Sequence, residues 1–298
     1  MWSAPPPQRF TCTGSSWPGI VGLTDSEDAT AFKQFEAAGW SRQAYSYEQL
    51  TGRVTAAAAG ALLDAARVGP GLRVLDVACG SGHVAAAAAA RGAEPVGIDI
   101  SRGMLDAARH AHPDLAFVHG DAEALNFADG SFGAVVGGFV LNHVPQPERA
   151  ASEAFRVLAA DGCAAFSVWD RPERARLMGI MSDAIDRAGL DRSVGVPPGP
   201  DGFRFADEGA FTSLLEDAGL GQVRIDTFDL SVRVEDGDEL WNGLLGGTVR
   251  AAAAVLAASE EDRRRVRKAF DELAAGYETE AGGLALPAVV KIGSGVAP

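Results

Sequence analysis

The stretch V-L-D-V-A-C-G-S-G-H-V-A, residues 74–85, decides how the rest of the chain is read. Residues 72–77 are a branched apolar run carrying one acid, Asp76, and they suit a strand covered on both faces. Gly80 and Gly82 follow, where the backbone must turn with no side chain obstructing a ligand. An alanine-rich helix is expected from Ser81 to Arg91, and its first N–H groups point back at the turn without helical partners. Strand, glycine turn and helix N-terminus together predict a nucleotide-cofactor site.

The glycines alone leave the cofactor open. Gly80, Gly82 and Ala85 also satisfy the relaxed dinucleotide fingerprint G-x-G-x-x-A, and Asp99 lies near its ribose-binding position. Asp76 separates the readings. A dinucleotide lays its pyrophosphate at this turn, where a carboxylate would oppose it; S-adenosylmethionine brings an ammonium and a sulfonium, which a carboxylate attracts. The segment resembles motif I of the class I S-adenosylmethionine-dependent methyltransferases, whose pattern is close to D-x-A-C-G-T-G.

Bulk properties narrow the partners. The balance of 26 basic against 40 acidic residues, a net charge of −14, supplies no basic stripe for tracking phosphates, so no nucleic-acid partner is expected. No charge-free apolar run reaches the roughly 18 to 20 residues that span a bilayer, so no membrane is expected either. Cys12, Cys79 and Cys163 are too few for a disulfide framework, with Cys79 inside the glycine turn, and a reducing cytoplasm is the simplest setting. The five histidines and three cysteines show no metal-ligand spacing, and no metal is predicted. The opening M-W-S-A-P-P-P-Q-R-F has prolines where a signal peptide has its apolar stretch, so residues 1–23 are expected to form a poorly ordered extension.

Helical patterns at residues 25–40 and 51–68 precede the glycine turn. Strands and helices then alternate: strand 95–98, helix 101–110, strand 116–119, strand 134–139, helix 147–159, strand 163–169. Such alternation means a parallel sheet with right-handed crossovers. Beyond Asp170 the expected order is helix 173–188, a Pro/Gly loop to residue 200, helix 208–218, strand 222–230, a helical region 235–276, and a strand 284–292 returning to the sheet edge. The fold class is therefore α/β, a Rossmann-like doubly wound sheet, mostly parallel with an antiparallel last strand. Its parts are the extension, N-terminal lid helices (24–70), the cofactor-binding core (71–170), a helical cap insertion after strand five (171–221), and the C-terminal part of the core with a helical insertion (222–298).

Asp99 ends strand two in G-I-D-I-S, where a carboxylate accepts both ribose hydroxyls while Ser101 caps the next helix. Ile100 and Met104 are placed to flank the adenine. The run Gly120-Asp121-Ala122-Glu123 follows strand three beside the adenine, with Asp121 for the exocyclic amine and the Ala122 N–H for a ring nitrogen. After strand four, G-G-F-V-L-N-H-V brings Phe139 and His143 to the end of the sheet where ligands bind. His143, the candidate base, also belongs to the candidate cofactor shell. His83, His110 and His112 read as surface residues.

In order and separation these segments resemble the small-molecule branch of the class I methyltransferases, the group similar to ubiquinone/menaquinone C-methyltransferases and actinobacterial natural-product methyltransferases. Supporting matches are A-G-W with Trp40, then Ala44, Tyr47 and Thr55; D-G-S-F at 129–132; R-V-L at 156–158; F-R-F at 203–205; and G-G-T-V-R at 246–250. The usual L-K-P-G-G before strand five is replaced by L-A-A-D-G at 158–162. The resemblance implies that Asp76, Ala78, Gly80 and Gly82 surround the methionine end, Asp99 and Ile100 the ribose, Asp121 and Ala122 the adenine, and Phe139 the sulfonium region, with Tyr47 closing over the cofactor; Cys79 in the glycine turn is also counted among the cofactor-binding residues. The acceptor is expected among Trp40, Phe139, Met178, Phe203 and Phe205, in a mostly apolar pocket that favours a hydrophobic metabolite methylated on oxygen or nitrogen. Three alternatives stay open: a cyclase or rearrangement enzyme on the same scaffold, a non-catalytic S-adenosylmethionine-binding regulator and, more remotely, a nicotinamide enzyme. A homodimer is compatible with the sequence.

Overall fold

The computed structural model describes residues 26–298. The expected extension, residues 1–23, lies outside them. In chain order the elements are α1 (Ser26–Gln43), α2 (Thr51–Ala65), β1 (Arg73–Val77), α3 (His83–Ala90), β2 (Glu94–Asp99), α4 (Arg102–Ala111), β3 (Ala116–His119), β4 (Phe132–Gly138), α5 (Pro147–Val157) and β5 (Leu158–Trp169). There follow α6 (Arg176–Ala188), α7 (Glu208–Asp217), β6 (Gly221–Phe228), β7 (Ser231–Val234), α8 (Gly237–Gly247), α9 (Arg250–Ala257), α10 (Glu260–Ala274), β8 (Leu284–Pro287) and β9 (Val290–Val296).

Seven strands form one sheet in the order β3-β2-β1-β4-β5-β9-β6. From β3 to β5 every pairing is parallel, as at Leu75 with Val96 on one side and Val135 on the other. β9 runs antiparallel to both β5 and β6. Each central strand is buried on both sides, and its residues alternate between two cores. Val74 and Val136 face one core with Leu62 and Leu63 of α2 and Ile180 of α6; Leu75, Val77 and Val135 face the other with Ala151 and Ala154 of α5 and Phe211 and Leu215 of α7. Gly293 in β9 permits a close approach of α7: a Cβ there would stand 2.6 Å from Phe211 Cζ.

Two sequence expectations are corrected by the C-terminal third. The run 284–292 is two strands rather than one. Pro287 ends β8 without an N–H to donate, and the chain crosses over through Ala288, whose N–H bonds Leu230 O at 2.8 Å. β8 pairs with β7 in a separate two-stranded sheet, and β9 inserts between β5 and β6, so the edge strand is β6. The second correction concerns residues 171–221, expected to form a single cap. α6 packs against α10 and β8, whereas α7 covers β6, β9 and α5 as an ordinary sheet helix, because Phe211, Leu214 and Leu215 bury on that side. The region 235–276 is helical, broken at Thr248-Val249 and at Ala258-Ser259 into three helices. Among the described residues no single helix is long and apolar enough to cross a membrane.

Ser101 caps α4, its Oγ accepting from Met104 N at 3.2 Å while its own N–H bonds Asp99. A lost serine cap costs about 1 kcal/mol. Ser101→Ala is accordingly expected to lower the melting temperature by about 2 °C in a thermal unfolding scan; an unchanged midpoint would show that the neighbouring Ser41 hydroxyl, 2.9 Å from Ser101 Oγ, has taken over the cap.

Candidate functional site

The sheet order changes direction between β1 and β4, and the loops leaving those two strands open a crevice at their carboxyl ends. Both loops begin in the same way. Ala78 after β1 has φ 56° and Phe139 after β4 has φ 59°, the left-handed region that L side chains adopt at a cost. The two strained turns lie side by side and line a cavity of about 220 Å³ with mainly apolar walls. A smaller cavity of about 40 Å³ adjoins it; Glu36, Ala78, Asp99, Ile100, His143 and Val144 belong to both.

The glycine turn works from both sides. Gly80 at φ 54° has nothing within 4 Å of the position its Cβ would take, and it lines the main cavity. Its N–H donates to Asp99 Oδ2 at 2.9 Å, and Ser101 N–H donates to Oδ1 at 2.7 Å. The Asp99 carboxylate is thus fixed by two backbone donors at the crevice mouth. Burial raises its pKa from the ordinary carboxylate range, against those two bonds. Gly82 faces the other way: a Cβ there would meet Phe117 at 2.8 Å.

Asp76 lies beneath the turn, 1% exposed, and does not line either cavity. Oδ2 accepts from Ala85 N–H in the first turn of α3 at 2.9 Å, and Oδ1 has no partner. Burial, with the nearby charge of Asp99 adding to it, pushes the Asp76 pKa up to about 8. From there its side chain can act on the cavities only through space. Cys79 is buried among Ala85, Leu105 and Phe117, where burial drives its thiol pKa well up, so it packs rather than binds.

Gly120, Asp121 and Ala122 line the smaller cavity, but Glu123 does not. Glu123 is 2% exposed, accepts from Gln146 N–H at 2.7 Å and pairs with Lys33 at 2.6 Å. Lys33, on α1, also reaches Asp121 Oδ2 at 2.6 Å. The acidic loop is thereby strapped to the N-terminal helix, and Glu123 anchors the strap rather than a ligand.

Over the crevice, Trp40 makes edge contacts with Tyr47 and His143 at 5.8 and 5.2 Å, and Met104 sits under Trp40 and Tyr47. Tyr47 Oη is 2.6 Å from Thr55 Oγ1. Phe139 stacks on Trp169 at 4.4 Å, and Met178 and Phe203 complete the apolar wall. Phe205 is not part of it. Its ring packs 5.9 Å from Phe211 in the core under α7, because the short turn Arg204–Ala206 sends residues 203 and 205 to different sides. His83 is not a free surface group either, since Nε2 lies 2.8 Å from Glu48 and the pair lowers the Glu48 pKa.

Sequence reasoning missed several lining residues. Glu36 is 2% exposed; its Oε2 accepts from Trp40 Nε1–H at 3.0 Å and lies 3.1 Å from His143 Nδ1, while Oε1 has no partner. The Phe32, Glu36, Trp40 spacing, one helical face, was the available signal. Asn142 also lines the cavity with both amide atoms buried and unpartnered. Arg250 is the first residue of α9, the helix end that disfavours a cation, and burial lowers its pKa. Among the described residues no three His, Cys, Asp or Glu side chains gather to hold a metal ion.

Comparison with known proteins gives a consistent family. A family model described as a methyltransferase domain matches residues 75–166. The chain is 37% identical over 127 residues to a demethylmenaquinone methyltransferase of Renibacterium salmoninarum, covering 43% of this chain and 54% of that protein, so it spans about half that relative's length. It is 31% identical over 196 residues to a demethylmenaquinone methyltransferase of a Mycobacterium species, covering 63% of this chain and 77% of that protein. Among solved structures, a putative methyltransferase from an antibiotic biosynthesis pathway of Anabaena variabilis superposes with a TM-score of 0.56 at 16% identity, over 80% of this chain and 95% of that one. That likeness speaks for the fold alone.

Proposed function

Because this chain belongs to the class I S-adenosylmethionine-dependent methyltransferases, we propose that it transfers a methyl group from that cofactor to the oxygen or nitrogen of a small, mainly apolar metabolite. One observation carries the reading: the Asp99 carboxylate, held by two backbone donors at the end of β2, beside Gly80, which no side chain covers. A vicinal diol fits the free lone pairs of that carboxylate. The unpartnered Oδ1 of buried Asp76 supports a cationic ligand end above the glycine turn, and Asp121 with Ala122 supports the adenine beside the smaller cavity.

The bound cofactor supplies a sulfonium methyl already activated for displacement. The chain's own part is to hold an acceptor in line with that methyl and keep water away, a contribution of about 7 to 11 kcal/mol when the reacting atoms are well placed. Phe139, Trp169, Met178, Phe203 and Trp40 form the apolar surface for this task. That lining favours an aromatic or alicyclic acceptor over a free amino acid.

Thermal shifts with S-adenosylhomocysteine, NAD and NADP test the cofactor. S-adenosylhomocysteine at 100 times its dissociation constant is expected to add about 2.7 kcal/mol of stability. Stabilisation by NAD or NADP alone would defeat the reading. Methyl-labelled cofactor then tests the transfer, and turnover of an acceptor without label in the product would point instead to a rearrangement enzyme.

A further inference from the structure

Two polar side chains on the cavity wall lack partners for buried atoms, Asn142 and Glu36, and Glu36 alone is joined to the candidate base. The hydrogen-bond pattern determines which nitrogen of His143 carries a proton. Glu36 Oε2 receives Trp40 Nε1–H, an indole group that only donates, and the same oxygen lies 3.1 Å from His143 Nδ1. An oxygen that accepts from both directions leaves Nδ1 as the protonated nitrogen. Nε2 then bears the lone pair; among the described residues it has no partner, and the ring lines both cavities. The Trp40 ring, edge-on at 5.2 Å, fixes the imidazole plane.

Resting on the methyltransferase reading, we propose that Glu36 is a positioning residue that holds His143 in the Nδ1–H tautomer, so that Nε2 takes the proton of an acceptor hydroxyl. The preferred acceptor class is therefore a phenol or enol rather than an amine, which needs no base. In the step, the acceptor O–H bond breaks, its proton passes to Nε2, and the oxygen forms its bond to the methyl carbon as the carbon–sulfur pair returns to sulfur. One imidazolium proton is left to be released to solvent. The charged residues that line the two cavities with His143 are Glu36 and Lys33 of α1, Asp99 at the end of β2, Asp121 after β3, and Arg192 and Arg250 on the main cavity; Glu36 is the one within hydrogen-bond distance of the ring. Glu36 comes from α1 and His143 from the loop that follows β4, 107 residues apart, so the tautomer is set only when α1 is docked.

Long-range proton–nitrogen NMR of the 15N-labelled full chain reads the tautomer directly, with the His143 signals assigned by His143→Gln. Wild type is expected to show protonated Nδ1 and bare Nε2. Glu36→Leu is expected to move the ring to the Nε2–H form that imidazole prefers in water, and Glu36→Gln, which keeps the shape without the charge, to give both forms. An Nε2–H ring in wild type, or a ring indifferent to both substitutions, overturns the positioning role. With S-adenosylhomocysteine present, phenol is expected to shift the Nε2 resonance and methoxybenzene to leave it in place; no response to phenol overturns the hydroxyl assignment. The tautomer is read without ligand too, so failure of wild type to bind S-adenosylhomocysteine would defeat the cofactor reading separately.

Discussion

Replacing Asp99 by alanine is expected to weaken S-adenosylhomocysteine binding by about 4 kcal/mol, roughly a thousandfold in dissociation constant, from two lost hydrogen bonds to a charged acceptor. Nothing nearby can substitute. The carboxylate sits at the crevice mouth with both oxygens already aligned by Gly80 N–H and Ser101 N–H, and no other acid lines both cavities except Glu36, which is engaged by Trp40 and His143. Asp99→Asn keeps one acceptor oxygen and is expected to lose about half of that free energy. Isothermal titration calorimetry measures both. The backbone donors lose their acceptor in the alanine variant, so its ligand-free melting temperature should be read beside the affinity. A dissociation constant within about threefold of wild type in the alanine variant would remove Asp99 from the ribose.

The strand, turn and helix of residues 73–90 were legible because three local signals agree there: a doubly buried apolar run, two glycines at positive φ and an alanine helix. The alternation that follows carries the parallel sheet in the same way. Local agreement ends where geometry depends on distant partners. β7 and β8 are four residues each, and their pairing is set by where the chain crosses at Ala288 rather than by their own pattern. Phe203 and Phe205 read alike in sequence, yet a single turn sends one to the cavity and the other to the core. Glu36 reads as an ordinary helix acid until α1 docks. Glu123 and Cys79 sit inside matching motifs and still face away from the crevice, since a motif records neighbours along the chain and not the side to which each side chain turns.

Asp76→Asn is expected to strengthen the fold while weakening the site, and the gain should depend on pH in one direction. A carboxylate buried to 1% exposure with one unpartnered oxygen is costly when ionised, and that burial pushes its folded pKa up to about 8 from the ordinary carboxylate value of 3.8. Below the unfolded value both states hold the proton and the group costs nothing. Between the two values the unfolded chain ionises first, so stability falls as pH rises, and above about 8 the loss is complete at several kcal/mol. Asparagine has nearly the same shape, keeps an oxygen for Ala85 N–H and never ionises. The variant should therefore melt close to wild type at pH 4 and progressively above it up to pH 9, by about 5 °C or more, taking roughly 2 °C per kcal/mol at this chain length. Above about pH 8, where the carboxylate is ionised, the same substitution removes the negative charge beneath the glycine turn, and affinity for the cationic amino end of S-adenosylhomocysteine should drop there by about tenfold, the equivalent of about 1.4 kcal/mol. Melting scans and calorimetry from pH 4 to 9 distinguish the two effects. A variant that melts below wild type at pH 9 would mean that the carboxylate is paired when ionised, and the through-space role assigned to it would fall with that result.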